Sequence, residues 1–428
     1  MPRFLPVLAL FAFLATARAA NPVVPADARA RQLVASPAFQ SAVAAFERDY
    51  DQFVADLVAL TEIPAPPFGE KARGEAFAER MRVAGFKDVT TDDVGNVIAL
   101  RPGQGGAPLL AVAAHLDTVF PLETNVKVKR AGTTLRAPGV ADDGRGLAFL
   151  LAAARALNAA GLQTAADLLL VANVGEEGAG DLRGIRHLFT AGSWSGRIKR
   201  FITVDGRTND LVTNSALGSL RYRVTFKGPG GHSWSAFGQV NPAFALGDAM
   251  ARLGRLEVPK EPRVSYNVGI ISGGTSVNSI PNEVSMEVDM RSVSPAELTK
   301  IDGQFKQIIR DAVAAENAAR STVFGAITAD VKRIGERPSG TLSPDSPVLR
   351  QVTATMKAFD KVPVWETSST DANIPISLGI PAFAMSSQSG DRAGRTHSLD
   401  EWTDVEKSTA VKDFSLALAI LLTVADLP

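Results

Sequence analysis

The sequence predicts a two-part α/β protein: a mixed, mostly parallel sheet sandwiched by helices, interrupted by a smaller inserted α+β unit. Three observations lead there. Short apolar runs such as LLAVAAH (109–115) and LLLVANV (168–174) alternate with segments of helical spacing, as expected of strands buried on both faces. From about residue 216 to 330 the runs alternate residue by residue instead, as in SLRYRVTFK (219–227), which suits antiparallel strands with one wet face. Finally, 428 residues exceed the size at which a single core usually divides.

In chain order, a polar lead at 21–31 precedes one long helix at 36–63. It is carried by the spacing of Phe39, Val43, Phe46, Phe53, Leu57 and Leu60 and broken by Pro64, Pro66 and Pro67. A second helix is expected at 70–84, ending near Gly85. Alternation over 89–100, with turn residues at 92–96, reads as a β-hairpin. A buried strand follows at 109–115, then two short strands within 126–135 joined at Ala131-Gly132. The Ala- and Leu-rich stretch 147–157 is a helix apolar on most sides. Strand 168–174, helix 182–191 and strand 200–204 complete the first part. The inserted unit holds four strands and two helices, among them strands at 219–227, 264–271 and 283–290 and helices at 243–253 and 296–318. The α/β pattern resumes near Pro344, with a helix at 348–359, a strand at 380–385 and a last helix at 404–425. Residues 35–215 and 331–428 therefore form one domain, with 216–330 inserted into it.

Composition removes several classes of function. Basic and acidic residues number 45 each with no basic stripe, which argues against a nucleic-acid partner. Residues 1–19 read as an export signal: Arg3, the apolar run 5–14, and the A-x-A pattern Ala17-Arg18-Ala19. The run is short for a bilayer span. No stable membrane association is expected after its removal, and the expected location is periplasmic or secreted. There is no cysteine, so the core rather than disulfides must stabilise an exported chain.

The chemistry gathers around GEEG (175–178), where Glu176 and Glu177 sit as a strand leaves the core. Adjacent carboxylates at a buried edge call for a cation or a proton, although an isolated GEEG is more often a solvated turn than a site. The four histidines sharpen the choice. His115 ends a buried strand in HLD, His232 lies in PGGHSW, and His397 lies in RTHSLDE before the last helix. His187, mid-helix, reads as structural. Residues two apart on a strand share a face, so Asp117 can accept the second ring N–H of a metal-bound His115. Taken singly, Asp142 suits a helix cap and Asp205 a turn. Taken together, His115, Asp142, Glu177, Asp205 and His397 all fall at strand ends or just beyond, and such ends converge on one sheet edge. Mixed histidine and carboxylate ligation suits zinc, and carboxylates can bridge two ions about 3.5–4 Å apart.

In order, HLDTV (115–119), GVADDGRG (139–146), GEEG (175–178), VDG (204–206), GGHSW (230–234) and a late HS (397–398) resemble the zinc-dependent aminoacylase/carboxypeptidase/peptidase T family. These are di-zinc exopeptidases with an inserted lid and dimerisation domain. The resemblance runs over about residues 40–425. It implies two Zn2+ per chain, with Co2+ or Mn2+ also compatible. His115, Asp142 and Asp205 would hold one ion; Asp142, Glu177 and His397 would hold the other. Asp142 is then the bridge and Asp143 stands behind it. Glu176 is implied as the general base and Asp117 as the residue orienting His115. His232 would stabilise the oxyanion, in the partner's site of a homodimer, and Asn278 and Arg291 would contact a substrate carboxylate. In the cleft loop at 368–372, Ser368 and Ser369 stand where the family often has glycine.

The expected reaction is hydrolysis of the amide bond of a short peptide by a metal-activated water. Asp205, where deacylases usually carry Glu, is similar to peptidase T and the dipeptidases and favours di- or tripeptides with a free amino end. A carboxypeptidase or N-acyl-amino-acid deacylase is the alternative. A non-catalytic binding protein on this scaffold would be expected to lack Glu176 or a ligand, and all are present.

Overall fold

The computed structural model describes residues 25–390 and 392–426; the expected signal segment 1–19 lies outside the described residues. A nine-stranded mixed sheet forms the centre. Its order is Asp88–Thr91, Val97–Arg101, Leu168–Asn173, Leu110–His115, Arg200–Thr203, Ala382–Met385, Leu211–Ala216 and Gly340–Thr341, with Val364–Ser368 also paired to Leu211–Ala216. The four strands from Leu168–Asn173 to Ala382–Met385 run parallel, and antiparallel pairs close the sheet toward its edges.

The central runs are continuously apolar because both faces are covered. Leu110, Val112 and Ala114 enter the larger core with Phe46, Leu57, Leu151 and Leu418, from helices Pro37–Arg48, Tyr50–Thr61, Gly144–Ala159 and Lys407–Val424. Ala111 and Ala113 pack the other way, with Leu188 and Phe189 of helix Arg183–Thr190. In the larger core Phe46 stacks on Phe414 with ring centroids 3.9 Å apart, and Phe53 meets Phe46 edge-on at 5.4 Å.

The inserted unit is a second layer system. Strands Val264–Gly273, Glu283–Ser292, Gly218–Lys227 and Thr328–Arg337 pair antiparallel in that order. The last strand runs to Arg337, past residue 330. Period-2 alternation sends Tyr222, Val224 and Phe226 into a core with Phe305 and Ile309 of helix Pro295–Ala319. Arg221, Arg223, Asp289 and Arg291 take the opposite face.

Several local expectations differ. The helix expected at 36–63 divides at Asp49, whose backbone leaves the helical region and whose carboxylate takes the guanidinium of Arg155. The polar lead contains a helix, Ala26–Ala35, which buries only Ala30 and Leu33 and so shows little apolar periodicity. The last helix starts at Lys407 rather than 404, because Glu406 caps it by accepting from Ser408 N and Thr409 N, while Asp404 ends a short strand. Strands Leu211–Ala216 and Val364–Ser368 were not expected: VTNSA and WETS lack apolar alternation and are held as strands by pairing.

Phe414→Ala removes the face of the Phe46 stack and leaves a cavity between helices. We expect a loss of about 3–5 kcal/mol, read as a lower urea midpoint with an unchanged slope.

Candidate metal centre

Three neighbouring strands deliver the site. His115 closes strand Leu110–His115 in register with Asn173, and Glu176 and Glu177 follow within four residues. Asp205 follows strand Arg200–Thr203. Asp142 comes from the turn before helix Gly144–Ala159, where Asp143 is the N-cap and accepts from Gly146 N. His397, at φ +63°, comes from the loop before strand Trp402–Asp404.

Asp142 divides its two oxygens. Oδ1 lies 3.0 Å from His115 Nε2 and Oδ2 lies 3.2 Å from His397 Nε2. His397 Nε2 also lies 2.8 Å from Glu177 Oε1. Donor atoms of His115, Asp142 and Glu177 sit within 4.8 Å of one another, a group able to hold a metal ion. Asp205 lines the same cleft of about 500 Å³, together with Glu176, Arg221, Arg291, Arg337 and Glu366.

Asp117 works differently from the sequence expectation. His115 Nδ1 faces the main-chain oxygen of Asp117 at 2.9 Å, while the Asp117 carboxylate lies 3.8 Å away. That carboxylate instead accepts the N–H groups of Glu176 and Glu177, at 2.9 and 2.8 Å. It therefore fixes the acid turn, and the backbone fixes the histidine tautomer. Asp143 Oδ2 accepts from His115 N at 3.0 Å. Glu401, fully buried and not anticipated, accepts from Gly139, Ala141 and Asp142 N–H at 3.1, 2.7 and 2.9 Å. It ties the Asp142 turn to the loop that carries His397.

Arg291 lines the cleft and donates from Nε to Asp289 Oδ2 at 2.6 Å; Arg221 donates to the other oxygen of Asp289 at 3.1 Å. His232 and Asn278 are not brought to this cleft. Both are exposed on the inserted unit, where Ser233 N donates to the Asn278 main-chain oxygen. His187 lies 4.0 Å from Asp92, away from the cleft lining. Arg337, buried against Glu176, gave no signal as a lone arginine at a strand end. Arg221 could have been found from the alternation of SLRYRVTFK, which sets it on the wet face opposite Asp289.

Burial and crowding of carboxylates set the electrostatics of the site. Burial, and then the charge of Asp142, raise Asp205 to about 7. Burial, with Glu177 adding to it, holds Glu176 well above the usual carboxylate range against the pull of Arg337. Asp371, buried beside Asn173, rises to about 7 by burial. Burial would raise Asp142, but hydrogen bonds from His115 and His397 hold it low. Burial opposes a charge on His115, yet Asp142, Asp143 and Asp117 together raise it well above an ordinary imidazole. His397 is raised to about 10 by its hydrogen bonds to Asp142 and Glu177. Acids outnumber cations at this edge, and the two imidazoles stand in for positive charge that divalent ions would bring. The donor set of imidazole nitrogens and carboxylate oxygens therefore fits a metal centre.

The family described as Peptidase family M20/M25/M40 matches residues 111–424. Among curated relatives, the protein YgeY of Escherichia coli K12 is 25% identical over 248 residues, 55% of this chain and 57% of that protein. Succinyl-diaminopimelate desuccinylase of Corynebacterium glutamicum is 24% identical over 249 residues, 56% of this chain and 66% of that protein. The chain thus spans little more than half the length of the first of these relatives. Among solved structures, aminopeptidase PepT of Bacillus cereus superposes with a TM-score of 0.70 at 19% identity, covering 88% of this chain and 99% of that one. The dipeptidase Dug1p of Saccharomyces cerevisiae does so with a TM-score of 0.71 at 15% identity, covering 91% and 99%. Both share the fold, inserted unit included.

In protein stripped of metal, the His397 ring should titrate near 10 rather than near its ordinary 6.5. Because the folded value is the higher one, the stability it contributes is fully present below about 6.5 and is lost as pH rises through about 10. An NMR titration of the ring checks this; a midpoint near 6.5 contradicts the pairing with Asp142 and Glu177.

Proposed function

The chain belongs to peptidase family M20/M25/M40, and on that premise we propose that it is a di-zinc exopeptidase that hydrolyses the amide bond of di- or tripeptides. One observation carries the two-ion reading: Asp142 offers one carboxylate oxygen toward each of two histidines. His115, Asp142 and Asp205 would hold one ion, and Asp142, Glu177 and His397 the other. Such ions lower the pKa of a water and polarise a carbonyl.

The remaining work falls to the chain's own groups. Glu176 is buried beside the cluster and lines the cleft. Its carboxylate takes the proton of the attacking water and returns it to the leaving amine. The Asp117 carboxylate holds the main chain of that turn, so Glu176 keeps its place as the proton moves. Arg291 and Arg221, sharing one acid in Asp289, bring more positive than negative charge to the cleft wall. They suit a free carboxylate on the substrate, for which a guanidinium is geometrically matched. In the same reading the exported chain is a homodimer, with His232 and Asn278 of one copy completing the cleft of the other; their exposure on the inserted unit supports it.

A second reading keeps the chemistry and changes the substrate. The desuccinylase relative and the arginine-bearing wall favour an N-acyl amino acid or a C-terminal cut. A panel of di- and tripeptides, amidated peptides and N-acetyl amino acids separates the two. Cleavage of free di- and tripeptides supports the first reading, and cleavage of acylated substrates alone overturns it.

Glu176→Gln should lower kcat by about 100- to 10,000-fold while metal content stays at the parent level. Near-normal turnover in that variant would falsify the general-base assignment.

A further inference from the structure

The inserted unit returns to the central sheet along strand Thr328–Arg337, and the end of that strand grips the acid turn. The Arg337 side chain is only 5% exposed. Nη1 donates to Glu176 Oε1 at 3.0 Å and to Ser369 Oγ at 3.1 Å, and Nη2 donates to the main-chain oxygen of Glu176. The neighbouring residue is tied to the same segment. Glu336 N donates to both carboxylate oxygens of Asp181 at 3.0 Å, and Arg186 Nη2 donates to the Glu336 main-chain oxygen at 2.6 Å. From the other end of the inserted unit, Arg221 Nη1 reaches the Gly178 main-chain oxygen at 3.3 Å. Both ends of the insertion therefore close on residues 176–186.

We propose that Arg337 is the positioning residue of Glu176, so that the seating of the inserted unit sets the orientation of the carboxylate that moves the proton. This rests on the reading of Glu176 as general base. A glutamate side chain has several rotamers, and fixing one costs entropy that a partner must offset. The rigid guanidinium fork supplies that partner by holding side chain and main chain of the same residue at once. It occupies Oε1. Among the described residues Oε2 has no hydrogen-bond partner, and it is left for the proton. Ser369 belongs to the same anchor, since its hydroxyl accepts from the same Nη1. A misplacement of about 1 Å in a reacting group costs about 100-fold in rate, and among these ties between the two domains Arg337 is the one that holds the Glu176 side chain itself.

The test uses full-length, metal-loaded protein with a cleaved dipeptide, comparing the parent, Arg337→Met and Arg337→Lys. For Arg337→Met we expect kcat to fall about 100-fold with KM within about threefold of the parent. Metal content should be unchanged, and amide exchange over 176–181 faster. Arg337→Lys, which keeps the charge and part of the donation, should recover about tenfold of that loss. The proposal is overturned if Arg337→Met keeps its kcat, if its loss follows a matching loss of bound metal, or if Arg337→Lys is no better. Should Arg337→Met fail to fold, Arg337→Lys decides: a lower kcat at unchanged KM supports the role, and an unchanged kcat removes it. Glu176→Gln is assayed alongside. If that variant turns over normally, the general-base reading itself fails. If it is inactive while Arg337→Met is not, only the role of Arg337 fails.

Discussion

The constraint on which the structure depends is charge: too many carboxylates meet at one edge of a buried sheet for the positive charge the chain brings there. Asp142, Asp143, Glu176, Glu177, Asp205 and Asp371 gather around His115, His397 and Arg337. Like charges at such spacing cannot all ionise in a poorly solvated place. The strands that deliver them are held by apolar packing on both faces, so the acids cannot withdraw without disturbing the core. Divalent ions would resolve the conflict, and Asp142, 3.0 and 3.2 Å from the two histidines, stands where two ions would share a ligand.

Around that cluster, the supporting acids are spent on the backbone rather than on the metal-facing side chains. Asp117 takes two N–H groups of the GEEG turn, Asp143 takes the N–H of His115 and caps a helix, and Glu401 takes three N–H groups of the Asp142 turn. The GEEG turn, the His115 strand end and the Asp142 turn are thereby each fixed by a buried carboxylate behind them. These main-chain hydrogen bonds offset part of the burial that raises each of the three acids. The same logic extends to the domain joint, where Arg337 takes one oxygen of Glu176 and leaves the other.

Much of this was readable in the sequence, for identifiable reasons. His115, Glu177 and Asp205 announce themselves because an apolar run stops at or just before each of them, and the central sheet follows from the same runs. What could not be read is what acts across long distances. Arg337 and Glu176 are 161 positions apart and Glu401 lies 262 from Gly139, and no local pattern marks such partners. The role of Asp117 was half visible: its spacing from His115 was informative, but which atom faces the ring depends on how the strand ends. Strands Leu211–Ala216 and Val364–Ser368 escaped because polar residues lining a cleft break the alternation that marks a strand. The split at Asp49 escaped because the apolar spacing carries on through it.

The central claim is that Asp142 is the shared ligand of two metal ions. Anomalous scattering at the zinc edge, from crystals of the full-length protein purified without chelator, tests it most directly. The account predicts two ions per chain, one at His115 and Asp205, one at His397 and Glu177, with one Asp142 oxygen on each. A single ion, or two ions neither of which touches Asp142, would contradict it.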